Sequence, residues 1–133
     1  VEERRAYVRV GVDITVRWRT SAESSANKPY KKAQSRNISV VGICLILREL
    51  AGIDETLELE FMLPGGSVIR GLGRVIWLGK CDDQDAGRAG KTGAFNVVGI
   101  RFLDISEADK KEIADFIIHR LSRGQQPLAD NEE

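Results

Sequence analysis

A chain of 133 residues, 42% of them hydrophobic and 30% charged, has enough apolar material for one buried core and too little length for two. Its 20 basic and 20 acidic side chains cancel, which argues against a protein that coats nucleic acid through a broad positive field. Apolar runs such as 43–47 are strand-sized and far short of a membrane span.

From Val8 to Trp18 the even positions are Val8, Val10, Val12, Ile14, Val16 and Trp18, and the odd ones are Arg9, Gly11, Asp13, Thr15 and Arg17. This period of two predicts a strand with one buried face, and it turns Arg9 outward. A polar loop over 20–29 precedes a second strand near 30–38, followed by an apolar strand over 42–47. Leu57, Leu59, Phe61 and Leu63 alternate with polar residues up to Pro64-Gly65-Gly66, a turn signal that predicts a hairpin into 68–78. Gly71 and Gly73 mark a bend or close backbone approach there. A glycine-rich charged loop spans 81–93, and a last strand covers 95–102.

After that the period changes. Ser106 stands as an N-cap before Glu107-Ala108-Asp109, and Ile113, Phe116, Ile117 and Leu121 follow helical spacing until Gly124. Six short strands and one amphipathic helix predict a mainly β fold, an antiparallel β-barrel with the helix over an open side or end. One domain is expected over 1–123, with a mobile segment at 1–7 and a flexible tail at 124–133.

The chain opens on Val1 without a charged and then apolar leader, so no signal peptide is expected. Cys44 lies in an apolar run and reads as a core residue, Cys81 is far from it, and no disulfide framework or metal knuckle emerges. A reducing, cytoplasmic compartment is the simplest expectation.

Catalytic chemistry finds few candidates. His119 is the single histidine and sits near the end of a helix, so any Ser/His/Asp or Cys/His arrangement would depend on that one residue. Asp82, Asp83 and Asp85 lack the terminal glutamate of a calcium loop. Gly71-Leu72-Gly73 lies within a strand pattern and lacks the third glycine of a dinucleotide fingerprint. No enzymatic activity and no metal are expected.

The zero net charge is unevenly distributed. Residues 1–36 hold nine Lys/Arg against four Asp/Glu, and residues 104–133 hold four against eight. A basic end on a neutral chain suits a small, localised anion. Two short patterns stand in that half, Arg-x-x-x-Arg at Arg5 and Arg9 and Asn-x-Ser-x-x-Gly at Asn37, Ser39 and Gly42. In order and context they resemble the two motifs of the PilZ domain, a family of bacterial cyclic di-GMP receptors. Gly73-Arg74-Val75-Ile76-Trp77 and Gly99-Ile100-Arg101-Phe102 also resemble strands of its barrel, and the resemblance spans roughly residues 2–120.

The resemblance implies a six-stranded, split-barrel type fold with a C-terminal helix that binds cyclic di-GMP. Arg5 and Arg9 would then meet phosphate and guanine, Asn37 and Ser39 a guanine, and Gly42 would shape the surface. Arg4, just before the motif, implies a stacked dimer of the ligand, and Arg36 is an accessory candidate. Chemistry agrees with these roles. A guanidinium is permanently charged, and its planar fork fits a phosphate, the O6/N7 edge of guanine, or a base face. An extended segment would hold Arg5 and Arg9 about 13 Å apart at ~3.3 Å per residue, within reach of different parts of one ligand.

Asn37 and Ser39, two apart, share one strand face, although Asn, Ser and Gly also stabilise plain turns. On this reading, ligand binding orders the N-terminal segment and changes the surface offered to a protein partner, with no role in DNA binding or membrane insertion. The rival readings are a ligand-independent adaptor of the same fold and a barrel that binds single-stranded nucleic acid.

Overall fold

The computed structural model describes residues 7–49, 51–80 and 95–128. Its strands are β1 (Val10–Gly11), β2 (Thr15–Thr20), β3 (Lys31–Ile38), β4 (Gly42–Leu47), β5 (Thr56–Met62), β6 (Val68–Lys80) and β7 (Asn96–Ile105). A short helix, α1 (Ser21–Ser25), follows β2, and α2 (Glu107–Ser122) follows β7. All pairings are antiparallel, in the order β1-β3-β2-β5-β6-β7-β4, and the additional β3–β4 pairing closes the sheet. The result is a closed six-stranded barrel with β1 as an extra strand.

The N-terminal alternation holds from Val10 to Trp18, with Val10, Val12, Val16 and Trp18 buried and Ile14 packed against them. Val8, expected on that face, is 47% exposed, because it precedes the first ladder contact at Val10↔Ile38. The expected single strand is also split. Its register against β3 changes between Gly11↔Asn37 and Thr15↔Gln34. The Ser35 hydroxyl fills that break, accepting from Ile14 N–H at 3.0 Å and donating to the Val12 carbonyl.

The polar loop contains α1, whose N-cap Thr20 and residue Glu23 form a reciprocal capping box. Gly65 and Gly66 take φ of +111° and +107°, as the predicted hairpin turn needs. In β6 the approach is close: a Cβ at Gly71 would lie 2.5 Å from the Asp104 carbonyl oxygen, and one at Gly73 would lie 2.4 Å from Ile100 Cγ2.

Helix α2 starts at the predicted cap, where Ser106 Oγ accepts from Asp109 N–H at 3.0 Å. It buries Ile113, Phe116 and Ile117, with Leu121 partly buried. Ser67 donates to Glu112, and the Arg70 amide donates to Asp109, which fixes the helix against the start of β6. Within the stretch read from sequence as a tail, the Leu128 amide donates to the Arg9 carbonyl and Gln125 Nε2 donates to the Gly11 carbonyl, each at 2.9 Å. Among the described residues no helix is long and apolar enough to cross a membrane, and no cluster of three His, Cys, Asp or Glu side chains could hold a metal. The 82, 83 and 85 aspartates and Cys81 lie outside the described residues.

Candidate functional site

On the outer surface of the barrel, a cleft of about 140 Å³ is lined by Arg9, Asn37, Ser39 and Gly42, together with Tyr7, Trp77 and Arg101 among others. Arg9 precedes β1 and is partly exposed, on the face opposite the buried Val10. Ser35 and Asn37 are two residues apart, yet Ser35 pairs with core Leu45 while Asn37 pairs with Cys44 on the outer face. Arg36 is the extra residue that makes this switch. It does not line the cleft. Arg4 and Arg5 lie outside the described residues.

Asn37 and Ser39 are buried, at 4% and 3% exposure. Ser39 has a structural task as well: its Oγ accepts from Val41 N–H at 3.2 Å, and its own amide donates to the Gly42 carbonyl. The turn interpretation of this motif therefore holds alongside its place at the cleft. A Cβ at Gly42 would fall 2.2 Å from the Ile100 carbonyl oxygen. The close approach that requires glycine there is made by strand β7.

The floor includes a row of paired residues, Asn37↔Cys44↔Gly99↔Trp77, crossing four strands. Cys44 is buried as expected, but in this outer floor and outside the principal hydrophobic cluster. Sequence reading missed Trp77 for a specific reason. Val75 faces the core, so strict alternation would send Trp77 there too. A register shift between them pairs Val75 with Ile100 and Trp77 with Gly99, which turns Trp77 outward. Arg101 carried a legible signal, because it alternates with Val98 and Ile100 on the last strand. His119 is exposed on α2, at a distance in sequence and in lining from the cleft.

No curated protein sequence matches the chain. Solved structures do. The Bacillus subtilis inhibitor of motility MotI/DgrA is similar with a TM-score of 0.69 and 18% identity, covering 90% of this chain and 52% of that one. The PilZ domain of YcgR from Escherichia coli, solved with c-di-GMP, gives 0.65 and 15%, covering 90% and 92%. The complex of K. pneumonia MrkH with c-di-GMP gives 0.68 and 14%, covering 88% and 52%. The chain thus spans about half the length of MotI/DgrA and MrkH and nearly all of the isolated YcgR domain. At these identities the likeness establishes the fold. Sequence supplies the rest: the PilZ domain model matches residues 3–119, and the chain belongs to that family of non-catalytic cyclic di-GMP receptor domains.

Proposed function

We propose that the outer cleft binds cyclic di-GMP through Arg5, Arg9, Asn37 and Ser39, on a surface shaped by Gly42, and that capture orders residues 1–7 against the barrel. One observation carries the reading: Arg9 and the Asn37–Gly42 motif, far apart in the chain, line the same cleft. The cleft is comparable to an engineered cavity of ~150 Å³ that accepts a benzene ring. It suits one base or phosphate, with the remainder of a cyclic dinucleotide lying across the surface towards the N-terminal arginines. Residues 1–7 offer few apolar anchors, so a dianion bridging Arg5 and Arg9 supplies the contacts that hold them.

The ordered segment then forms a composite surface for a protein partner in the cytoplasm. Arg4 adds a charge for a second, stacked ligand, and Arg36 contributes from the adjacent bulge. Calorimetry with cyclic di-GMP, with GTP and cyclic GMP as controls, tests affinity, selectivity and stoichiometry together. Two ligands per chain would support the stacked dimer, and one would reject it. A charged hydrogen bond is worth roughly 1.5–3 kcal/mol. Arg9→Ala should therefore weaken binding about ten- to a hundredfold while the thermal transition persists. A folded Arg9→Ala variant with unchanged affinity would overturn the proposal, and a wild-type protein indifferent to the ligand would favour the adaptor.

A further inference from the structure

Strand β1 stands at the end of the strand order, with β3 on one edge. Along an antiparallel strand, successive residues direct their peptide groups to opposite edges. The Val12 amide donates to the Arg36 carbonyl, so Val10 and Val12 address β3, and the carbonyls of Arg9 and Gly11 address the other edge. An edge of this kind offers acceptors to any chain that runs beside it. Here the C-terminal segment takes them: the Leu128 amide donates to the Arg9 carbonyl and Gln125 Nε2 to the Gly11 carbonyl, each at 2.9 Å.

Local sequence builds this clasp. Gly124, with φ of +96°, closes α2, and its amide and that of Gln125 donate to the Leu121 and Arg120 carbonyls at 3.1 and 3.0 Å. Pro127 has a fixed φ and biases Gln126 towards an extended conformation, which carries the non-helical segment back along β1 to Leu128. Gln125 is itself oriented from the helix. Arg120 Nη1 donates to its Oε1 at 3.0 Å, and the Arg120 guanidinium carbon lies 4.8 Å from the centre of the Phe116 ring. With the amide oxygen turned to Arg120, the amide nitrogen is presented to Gly11.

The β1–β3 ladder is only two pairs long, and Arg9 lies just before it. We infer that Gln125 is a positioning residue for the nucleotide site: with the Leu128 amide it fixes the open edge of β1, so that the Arg9 side chain is set at the cleft before a ligand arrives. The inference rests on the cyclic di-GMP reading and extends it to a segment that does not line the cleft. Ordering Arg9 in advance removes part of the entropic cost of capture. Such coupling is reciprocal, so a ligand held by Arg9 tightens the clasp in turn.

The experiment is titration of wild type, Gln125→Met, Leu128→Pro, Arg9→Ala and Gln125→Met/Arg9→Ala with cyclic di-GMP by calorimetry, together with exchange of the Leu128 amide with and without ligand. Gln125→Met keeps the length of the side chain, adds no charge and loses the donor to Gly11, while Leu128→Pro deletes the donor to Arg9. Each should bind about three- to tenfold more weakly. Gln125→Met should add nothing in the Arg9→Ala background, a coupling that general loss of stability would not produce. Ligand should slow exchange of the wild-type Leu128 amide. Given wild-type binding, the inference is overturned by unchanged or tighter binding of either donor variant, by an equal loss in the Arg9→Ala background, or by Leu128 exchange indifferent to ligand. Each of those results leaves the receptor reading intact, whereas absence of binding by the wild type would overturn both.

Discussion

The hydroxyl of Ser35 stands where the N-terminal strand changes register, fully buried and bonded to backbone on both sides of the break at Val12 and Ile14. Deleting it leaves an amide and a carbonyl without that partner in a dry setting. Ser35→Ala should therefore cost about 1–3 kcal/mol, measured as a lower urea midpoint without ligand. Gly42 makes the same point through space instead of polarity. A methyl group there collides with the Ile100 carbonyl at the start of the β4–β7 ladder. Gly42→Ala should lower the thermal midpoint of the ligand-free protein, with a cost typical of overpacking, roughly 1–3 kcal/mol. Neither role is visible in a linear pattern, because Ser35 and Gly42 each act on a segment more than twenty residues away.

At the scale of elements, β2, β5 and β6 are joined by charge as well as by their ladders. Arg17 pairs with Glu60, Arg70 Nε meets Glu60 at 2.7 Å, and Arg19 Nε meets Glu58 at 3.0 Å. Tyr30 lies under Arg17 and Arg19, their guanidinium carbons 4.7 and 4.3 Å from the ring centre, and it donates to Glu58. The Arg70 hydrogen bond lowers the Glu60 pKa below its ordinary value, and a hydrogen bond from Ser24, aided by Arg19, lowers that of Glu58. Because the folded values are depressed, the stabilisation is complete above the unfolded glutamate pKa of about 4.3 and is lost as pH falls through the lower folded values. Urea midpoints should be flat near neutrality and decline in acid, and Glu60→Gln should flatten that decline. The alternating Leu57–Leu63 pattern predicted β5 correctly, and the hydroxyl and acidic caps predicted α2. What sequence did not give was the strand offset that places Glu60 between Arg17 and Arg70.

Over the whole molecule, residues 9–11 and 125–128 meet beside the cleft. Gln125 and Leu128 bond to the carbonyls of Gly11 and Arg9, and Arg120 on α2 donates to Gln125 Oε1 at 3.0 Å. Strand β1 is thus held by β3 on one edge, and the C-terminal segment touches both it and the preceding Arg9. Truncation after Gly124 removes the hydrogen bonds to the Arg9 and Gly11 carbonyls together with the two between Gln125 and Arg120, the neutral ones worth roughly 0.5–1.5 kcal/mol each. It should lower the thermal midpoint modestly and speed amide exchange at Val10 and Gly11 while leaving β5 and β6 protected.

By itself the sequence determined the barrel class, the strands, the capped helix and a compact motif of polar residues after the second strand. Those are written in short-range terms, as alternation, turn glycines, cap residues and helical spacing, and neighbouring residues suffice to express them. Tertiary structure decided that Arg9 meets the Asn37–Gly42 motif at one cleft, that Trp77 faces outward and that the C-terminal segment reaches β1. Each of these depends on register. One extra residue in a strand reverses the facing of the residues beyond it, and closure of a barrel joins segments whose separation in the chain carries no trace of the contact.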